Sequence, residues 1–290
     1  MEIAKLTTLA AQYPVDTGRK FQGLPNLSVY TRNAVSEIEA SVYEPVMCLI
    51  LQGGKITSIG DQHVELRAGD ALVVSHDLPV LSRITKASLS EPYIAVLLTL
   101  DLAVMRGLYD QIATATLPKA SSRSLASWRA DEAWLSPLGR YFELMSDPTD
   151  AKVLGPAILQ EIHYRLMLSP LGGMLCRLLN ADSNASRIAV AIHMLRSEFR
   201  SPLRVADLAQ RAGMSPSSFH DHFRSVTGTT PLRFQKDLRL IEARTLLRDQ
   251  GQSVSEAAYA VGYESPTHFS RDYSKKFGIP PSQDRKSSNS

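Results

Sequence analysis

Between residues 28 and 100 the apolar positions fall in short runs broken by turn-forming dipeptides. The runs cover 28–32, 43–52, 55–59, 63–67, 71–75, 81–87 and 93–100, separated by Gly-Gly, Gly-Asp and Leu-Pro signals. Short strands at this spacing predict an all-β sandwich or barrel. After Asp101 the spacing becomes helical, through 128–145 and 153–179. The run Asn180-Ala-Asp-Ser-Asn-Ala-Ser186 carries no periodic apolar residue and reads as a linker. The expected architecture is α+β: an N-terminal β-barrel with trailing helices over 1–179, a linker over 180–187, and an all-α region over 188–290.

The all-α region contains an internal repeat. Val205-Ala-Asp-Leu-Ala-Gln-Arg-Ala-Gly-Met-Ser-Pro-Ser-Ser-Phe matches Val254-Ser-Glu-Ala-Ala-Tyr-Ala-Val-Gly-Tyr-Glu-Ser-Pro-Thr-His-Phe, with one extra residue in the second copy. The offset is 49 at Val205/Val254, Ala209/Ala258 and Gly213/Gly262, then 50 at Ser215/Ser265, Pro216/Pro266, Phe219/Phe269, Phe223/Tyr273, Gly228/Gly278 and Pro231/Pro281. Small Ala209 and Ala258 let two helices approach closely. Gly213 and Gly262 can take the left-handed conformation that ends a first helix. Ser215 and Ser265 can cap a second helix, and Pro216 and Pro266 suit its first position. Phe219 with Phe223, and Phe269 with Tyr273, then share one face. The opposite face is left to enter a major groove, as in a helix-turn-helix. A run without Gly or Pro after Pro231 predicts a connecting helix of roughly 25–28 Å.

On the faces opposite those aromatics stand Ser217, His220, Asp221 and Arg224 in the first copy, and Thr267, His268, Ser270 and Arg271 in the second. Arg271 is the first choice as base reader, because a guanidinium can pair with guanine O6 and N7; His220 follows. Asp221 would orient a neighbour or accept from a cytosine amino group, while Ser217 and Thr267 suit helix capping or phosphate contact as well as base readout. Arg224, Arg233, Lys236, Lys275 and Lys276 are expected on phosphates. Charge agrees: residues 185–290 carry 16 Lys/Arg against 10 Asp/Glu, and residues 1–184 carry 16 against 19.

These residues, with Arg239-Leu-xx-Ala243-xx-Leu246-Leu247 and Gly262-Tyr-Glu-Ser265, resemble the AraC/XylS family of transcription regulators over roughly residues 188–283. At Pro281-Ser-Gln-Asp-Arg285 an aspartate stands where that family usually carries an aromatic residue. The resemblance implies a sequence-specific transcription regulator, an activator by preference, with double-stranded DNA and RNA polymerase as partners. The segment from Gly60 to Ser75 looks like the strand-turn-strand of a cupin barrel. Tyr43-Glu-Pro through Leu78-Pro, and Glu161-Ile-xx-Tyr-Arg165-Leu, resemble the sensing domain of some AraC-type regulators.

A barrel of this size can enclose one small ligand. Candidate effector-binding residues are Lys55, Arg67, His76 and Arg83 on its strands, together with Arg19 and Lys20 in a Gly-flanked arm with Phe21. The effector would be a sugar, a small acid or a cyclic dinucleotide such as cyclic di-GMP. A cupin enzyme would hold a metal with a closely spaced histidine pair and a carboxylate; His63 and His76 stand alone, so no metal, cofactor or catalytic residue is assigned. They read instead as turn or surface residues. Other readings are a cupin-type metal enzyme fused to a DNA-binding tail, a repair alkyltransferase, which lacks the cysteine cluster it needs, and a ligand-independent DNA-binding protein. The apolar face of Trp134, Leu135, Leu138, Tyr141, Phe142 and Met145 suits either a homodimer contact or packing against the barrel.

With 44% hydrophobic residues in 290, about two cored domains are expected. No run approaches the ~20 apolar residues of a membrane span. The first ten residues lack a basic head before an apolar run, so no secretory leader is expected and the cytoplasm is the expected location. Two cysteines, Cys48 and Cys176, cannot build a disulfide framework, and Cys48 is expected in the core.

Overall fold

The computed structural model describes residues 3–12, 24–112 and 123–286. Strands β1 (Leu27–Arg32), β8 (Tyr93–Thr99), β3 (Val46–Gln52), β6 (Asp70–Val74) and β9 (Leu125–Arg129) form one antiparallel sheet, in that spatial order. Strands β2 (Glu39–Tyr43), β7 (Leu78–Lys86), β4 (Gly54–Ile59) and β5 (Gln62–Arg67) form a second. The expected barrel is thus two facing sheets between which the chain crosses repeatedly, with β4–β5 a hairpin within the second, an arrangement of jelly-roll type. The nearly unbroken apolar run of β3 has a simple cause: six of its seven residues are buried, because one face meets the second sheet and the other meets helices.

Those helices are α1 (Ile3–Ala10), α2 (Leu102–Ile112), α3 (Glu132–Glu143), α4 (Pro148–Leu168) and α5 (Gly172–Leu179). They close over Leu27, Val29, Met47, Leu49, Val96 and Leu98. Trp134, Leu135, Leu138, Tyr141 and Phe142 are buried in this core, and Met145 packs on it. Internal packing therefore occupies the face considered for dimerisation.

Three expectations need correcting. Trp128 lies in the edge strand β9, opposite Ala71, and the helix begins only after Asp131, whose side chain caps it at Trp134 N. The run 43–52 splits at Glu44-Pro45, with β2 ending at Tyr43 in one sheet and β3 beginning at Val46 in the other. The linker is shorter than 180–187, because Ser183 accepts from Ser186 N as the cap of helix α6 (Asn184–Glu198). A capping serine and a linker serine look alike in sequence.

Helix α6 brings the C-terminal region down on the two-sheet domain. From the sheets, Val46, Leu72 and Leu125 share one apolar cluster with Ile188, Ile192, Phe219 and Phe223 of the helical region. His76, expected as a turn or ligand-binding residue, is 4% exposed and sits in this joint. Its Nε2 donates to Ala185 O at 3.1 Å, which leaves Nδ1 to accept from the Ser75 hydroxyl at 2.8 Å. Burial, the largest influence, lowers its pKa to about 4.

That lowered value predicts a pH-dependent joint. Unfolded, the imidazole binds a proton below about pH 6.5, while the folded ring resists protonation until about 4. Stability is complete above pH 6.5 and falls as pH drops from 6.5 to 4, by at most about 3 kcal/mol. Urea titrations across that window should show the loss in wild type and a much smaller one in His76→Gln.

Candidate nucleic-acid interface

Each repeat copy folds as the sequence predicts. Helices α7 (Val205–Arg211) and α8 (Pro216–Thr227) form the first unit, and α10 (Val254–Ala260) and α11 (Pro266–Phe277) the second. Gly213 and Gly262 turn the chain with φ of 63° and 86°. Ser215 and Ser265 cap α8 and α11 at Ser218 N and His268 N, each followed by a proline at the helix start. Phe219 and Phe223 are fully buried with Phe234, as are Phe269 and Tyr273 with Val261. Helix α9 (Pro231–Arg248) joins the units over 18 residues, about 27 Å at 1.5 Å per residue.

The outward faces of α8 and α11 carry the expected readers. Ser217, His220, Asp221 and Arg224 are exposed on α8, and Thr267, His268 and Arg271 on α11. Ser270 is half-buried, and its hydroxyl is spent on Pro266 O at 2.8 Å. The expected phosphate contacts divide. Lys275 is exposed and Lys236 pairs with Asp272 at 3.0 Å. Arg233 reaches Asp61 of the β4–β5 turn at 3.6 Å. Lys276 is a correction: its side chain is 10% exposed and bonds Asp237 on α9, so it ties α11 to the connecting helix. Arg233, Lys236 and Lys275 line a cleft of about 630 Å³ between the helical region and Ser58, Gly60 and Pro79 of the second sheet.

Two structural residues carry no signal of that role in the sequence. Arg239 on α9 donates to Phe199 O at 2.6 Å, Gly262 O at 2.9 Å, and Arg200 O and Ser201 O at 3.0 Å. It joins the end of α6 to the turn of the second unit. Asp284 on α12 (Pro281–Lys286) is fully buried. It accepts from Arg244 Nε at 2.8 Å, Arg248 Nε at 2.6 Å and Tyr273 OH at 2.6 Å. Burial alone would raise its pKa; the Tyr273 hydrogen bond and the two guanidinium groups outweigh that and hold it below the usual carboxylate value. The aspartate that departs from the family pattern is therefore a built ionic centre, with Arg244 also reaching Ile38 O at 2.8 Å.

Of the expected effector residues, Arg67 and Arg83 are exposed on the second sheet, and Arg67 pairs with Glu65 at 3.1 Å. Neither points between the sheets, and His76 is locked in the domain joint. Lys55 alone of these faces the interior, with its ammonium 2.6 Å from Tyr43 OH. Arg19 and Lys20 lie outside the described residues. Among the described residues no group of three or more His, Cys, Asp or Glu could hold a metal, and no helix is long and apolar enough to cross a membrane.

A family model described as the AraC-type transcriptional regulator N-terminus matches residues 23–174, and a helix-turn-helix domain model matches 208–287. The regulator CdhR of Pseudomonas aeruginosa is 35% identical over 133 residues, 46% of this chain and 37% of that protein. The transcriptional activator RhaS of Escherichia fergusonii is 28% identical over 159 residues, 54% of this chain and 56% of that protein. The chain thus spans about half the length, or less, of these curated relatives. The crystal structure of ToxT from Vibrio cholerae bound to an unsaturated fatty acid superposes with a TM-score of 0.56 at 13% identity, covering 92% of this chain and 96% of that one. That likeness is one of fold.

The Asp284 centre makes a direct prediction. Asp284→Ala leaves two guanidinium groups facing a void, which should destabilise the helical region by about 3 kcal/mol in denaturant unfolding. In wild type the contribution is complete above the ordinary aspartate pKa of about 3.9 and is lost as pH falls through the lowered folded value.

Proposed function

The chain belongs to the family of AraC-type transcriptional regulators, and on that premise we propose that it recognises specific DNA sites through both helix-turn-helix units under control of a small molecule bound in its N-terminal domain. The observation that carries this reading is the pair of recognition helices, α8 and α11, each with an exposed polar face and both seated on one connecting helix. Adjacent major-groove segments on one side of a duplex lie about 34 Å apart, a span that a rod of this length with helices at its ends can serve.

In this reading Arg271 reads guanine, with His268 and Thr267 beside it, and His220, Ser217 and Asp221 read the neighbouring segment. Arg224, Lys275, Lys236 and Arg233 meet phosphates and set the register. Arg233 must then exchange Asp61 for a phosphate, which couples DNA binding to the N-terminal domain. A signal has a short route. The β4–β5 turn presses on the end of α8, where a Cβ on Gly60 would meet Gly228 O at 2.4 Å. We assign the chain no catalytic step. In the manner of RhaS we read it as an activator, with RNA polymerase as partner; homodimerisation through another face and a cytoplasmic location belong to the same proposal.

Gel shifts with the DNA upstream of its own gene test the reading. Arg271→Ala should lose about 1–3 kcal/mol of discrimination between the preferred site and a single-base variant. Lys275→Ala should weaken all sequences alike and lower the salt slope by about one. Equal affinity of wild type for specific and scrambled DNA at physiological salt would overturn it.

A further inference from the structure

The flank of α11 that turns toward the connecting helix carries charge in a crossed pattern. Lys236 and Asp237 are neighbours on α9, while Asp272 and Lys276 stand one turn apart on one face of α11. Lys236 Nζ lies 3.0 Å from Asp272 Oδ2, and Lys276 Nζ donates to Asp237 Oδ1. A slip of α11 by one turn would set Lys276 against Lys236, or Asp272 against Asp237, so the order of the charges opposes it. With the repeat offset of 50 the first unit has His222 and Val226 at these positions, and His222 meets Asn184 of α6 at 3.0 Å instead. The clasp belongs to the second unit.

A third tie comes from the turn of the second unit. Tyr263 donates its hydroxyl to the same Asp272 Oδ2 at 3.2 Å. Its ring is anchored in turn, edge-on to Phe269 at 5.3 Å and with the Arg239 guanidinium 6.0 Å from its centre. Burial, with the Asp272 carboxylate beside it, pushes the phenol well above its ordinary pKa, so the proton stays on the oxygen. Elsewhere α11 is held by the buried stripe Phe269, Tyr273 and Phe277, with the Tyr273 hydroxyl on Asp284. Apolar packing is non-directional, whereas the three ties at Asp272 and Lys276 engage particular atoms and so hold the helix about its own axis. The residue beside Asp272 is Arg271, exposed and without a hydrogen bond or ion pair among the described residues.

We propose that Asp272 is a positioning residue for DNA recognition. Held by Tyr263 and Lys236, with Lys276 and Asp237 fixing the next turn, it sets the rotation of α11 and thereby where the Arg271 guanidinium enters the major groove. This deepens the reading of Arg271 as the guanine reader and rests on it. Paired hydrogen bonds to a base edge tolerate errors of roughly 0.5 Å and 10–20°. An arginine on a helix free to roll would lose that pairing while keeping its attraction to phosphate. An ammonium has three donors, so Lys236 can hold Asp272 and still meet a phosphate.

The test uses the full-length protein on the duplex that wild type selects from random sequences, on each single-base variant of it and on scrambled DNA. The base pair read by Arg271 is the one at which Arg271→Ala loses discrimination. Asp272→Asn should lose at least about fivefold of the discrimination at that base pair, keep it at the pairs read by α8, and bind scrambled DNA as well as wild type does. Asp272→Glu should retain most of it, and Tyr263→Phe should fall between. The double variant Arg271→Ala/Asp272→Asn should discriminate no worse than Arg271→Ala, because the second residue acts through the first. A merely structural role would instead lower the melting temperature and weaken every duplex equally. The proposal is overturned by full discrimination at that base pair in Asp272→Asn, by equal losses on all duplexes, by an additive double variant, or by an Arg271→Ala that discriminates like wild type. Where Asp272→Asn melts well below wild type, Tyr263→Phe decides by the same criteria, since it removes one hydroxyl from a ring that stays packed. Sequence preference in wild type with an unaltered Asp272→Asn removes this inference alone, whereas no preference in wild type removes the function it rests on.

Discussion

The guanidinium of Arg239 gathers four backbone carbonyls, three from the end of α6 and the segment after it, two of which Gln235 Nε2 also serves, and one from the turn at Gly262. Helix ends expose carbonyls that need partners, and a planar donor with five N–H groups satisfies several at once. The arrangement is tight as well as polar: a Cβ on Gly262 would stand 2.1 Å from Arg200 O, so only glycine at φ 86° lets the second unit reach the first. This contact fixes the placement of α8 relative to α11.

The connecting helix is held to α11 and α12 by different means. Asp284 draws Arg244, Arg248 and Tyr273 together, and Lys276 bonds Asp237, so α9, α11 and α12 are joined by charge in a region with a smaller apolar core. The first unit instead shares its apolar cluster with the two-sheet domain. The sheets thus meet the first unit through packed side chains and the Gly60 turn, and the second through α9 and the contacts of Ala40 and Leu81. The two units are thus held to the two-sheet domain by unlike contacts.

Much of this was legible in the chain. Hydrophobic alternation located seven strand regions, and the duplicated Ala-Gly-Ser-Pro-aromatic pattern located four helices, two turns and two caps, because each depends on the local conformational preference of the residue itself. Strand β9 is hidden in the sequence because Trp128 lies close to the apolar stripe of α3 and merges with it. The exposed positions of Ser217, His220, Thr267 and Arg271 could be read from helical spacing alone. The unlike fates of Lys275 and Lys276 could not, since adjacent lysines differ only in what stands across from them.

The sequence by itself therefore determined the elements, their punctuation and the twin-unit plan, all of which follow from backbone propensity and the periodic burial of apolar side chains. Only the tertiary structure decided how the polar residues were used. It put Asp284 and Arg239 to structural work, spent Ser270 and Lys276 on partners within the helical region, locked His76 in the domain joint and bonded Lys55 to Tyr43 between the sheets. Charges and hydroxyls take their roles from partners distant along the chain, and those partners are set by packing that no local pattern encodes.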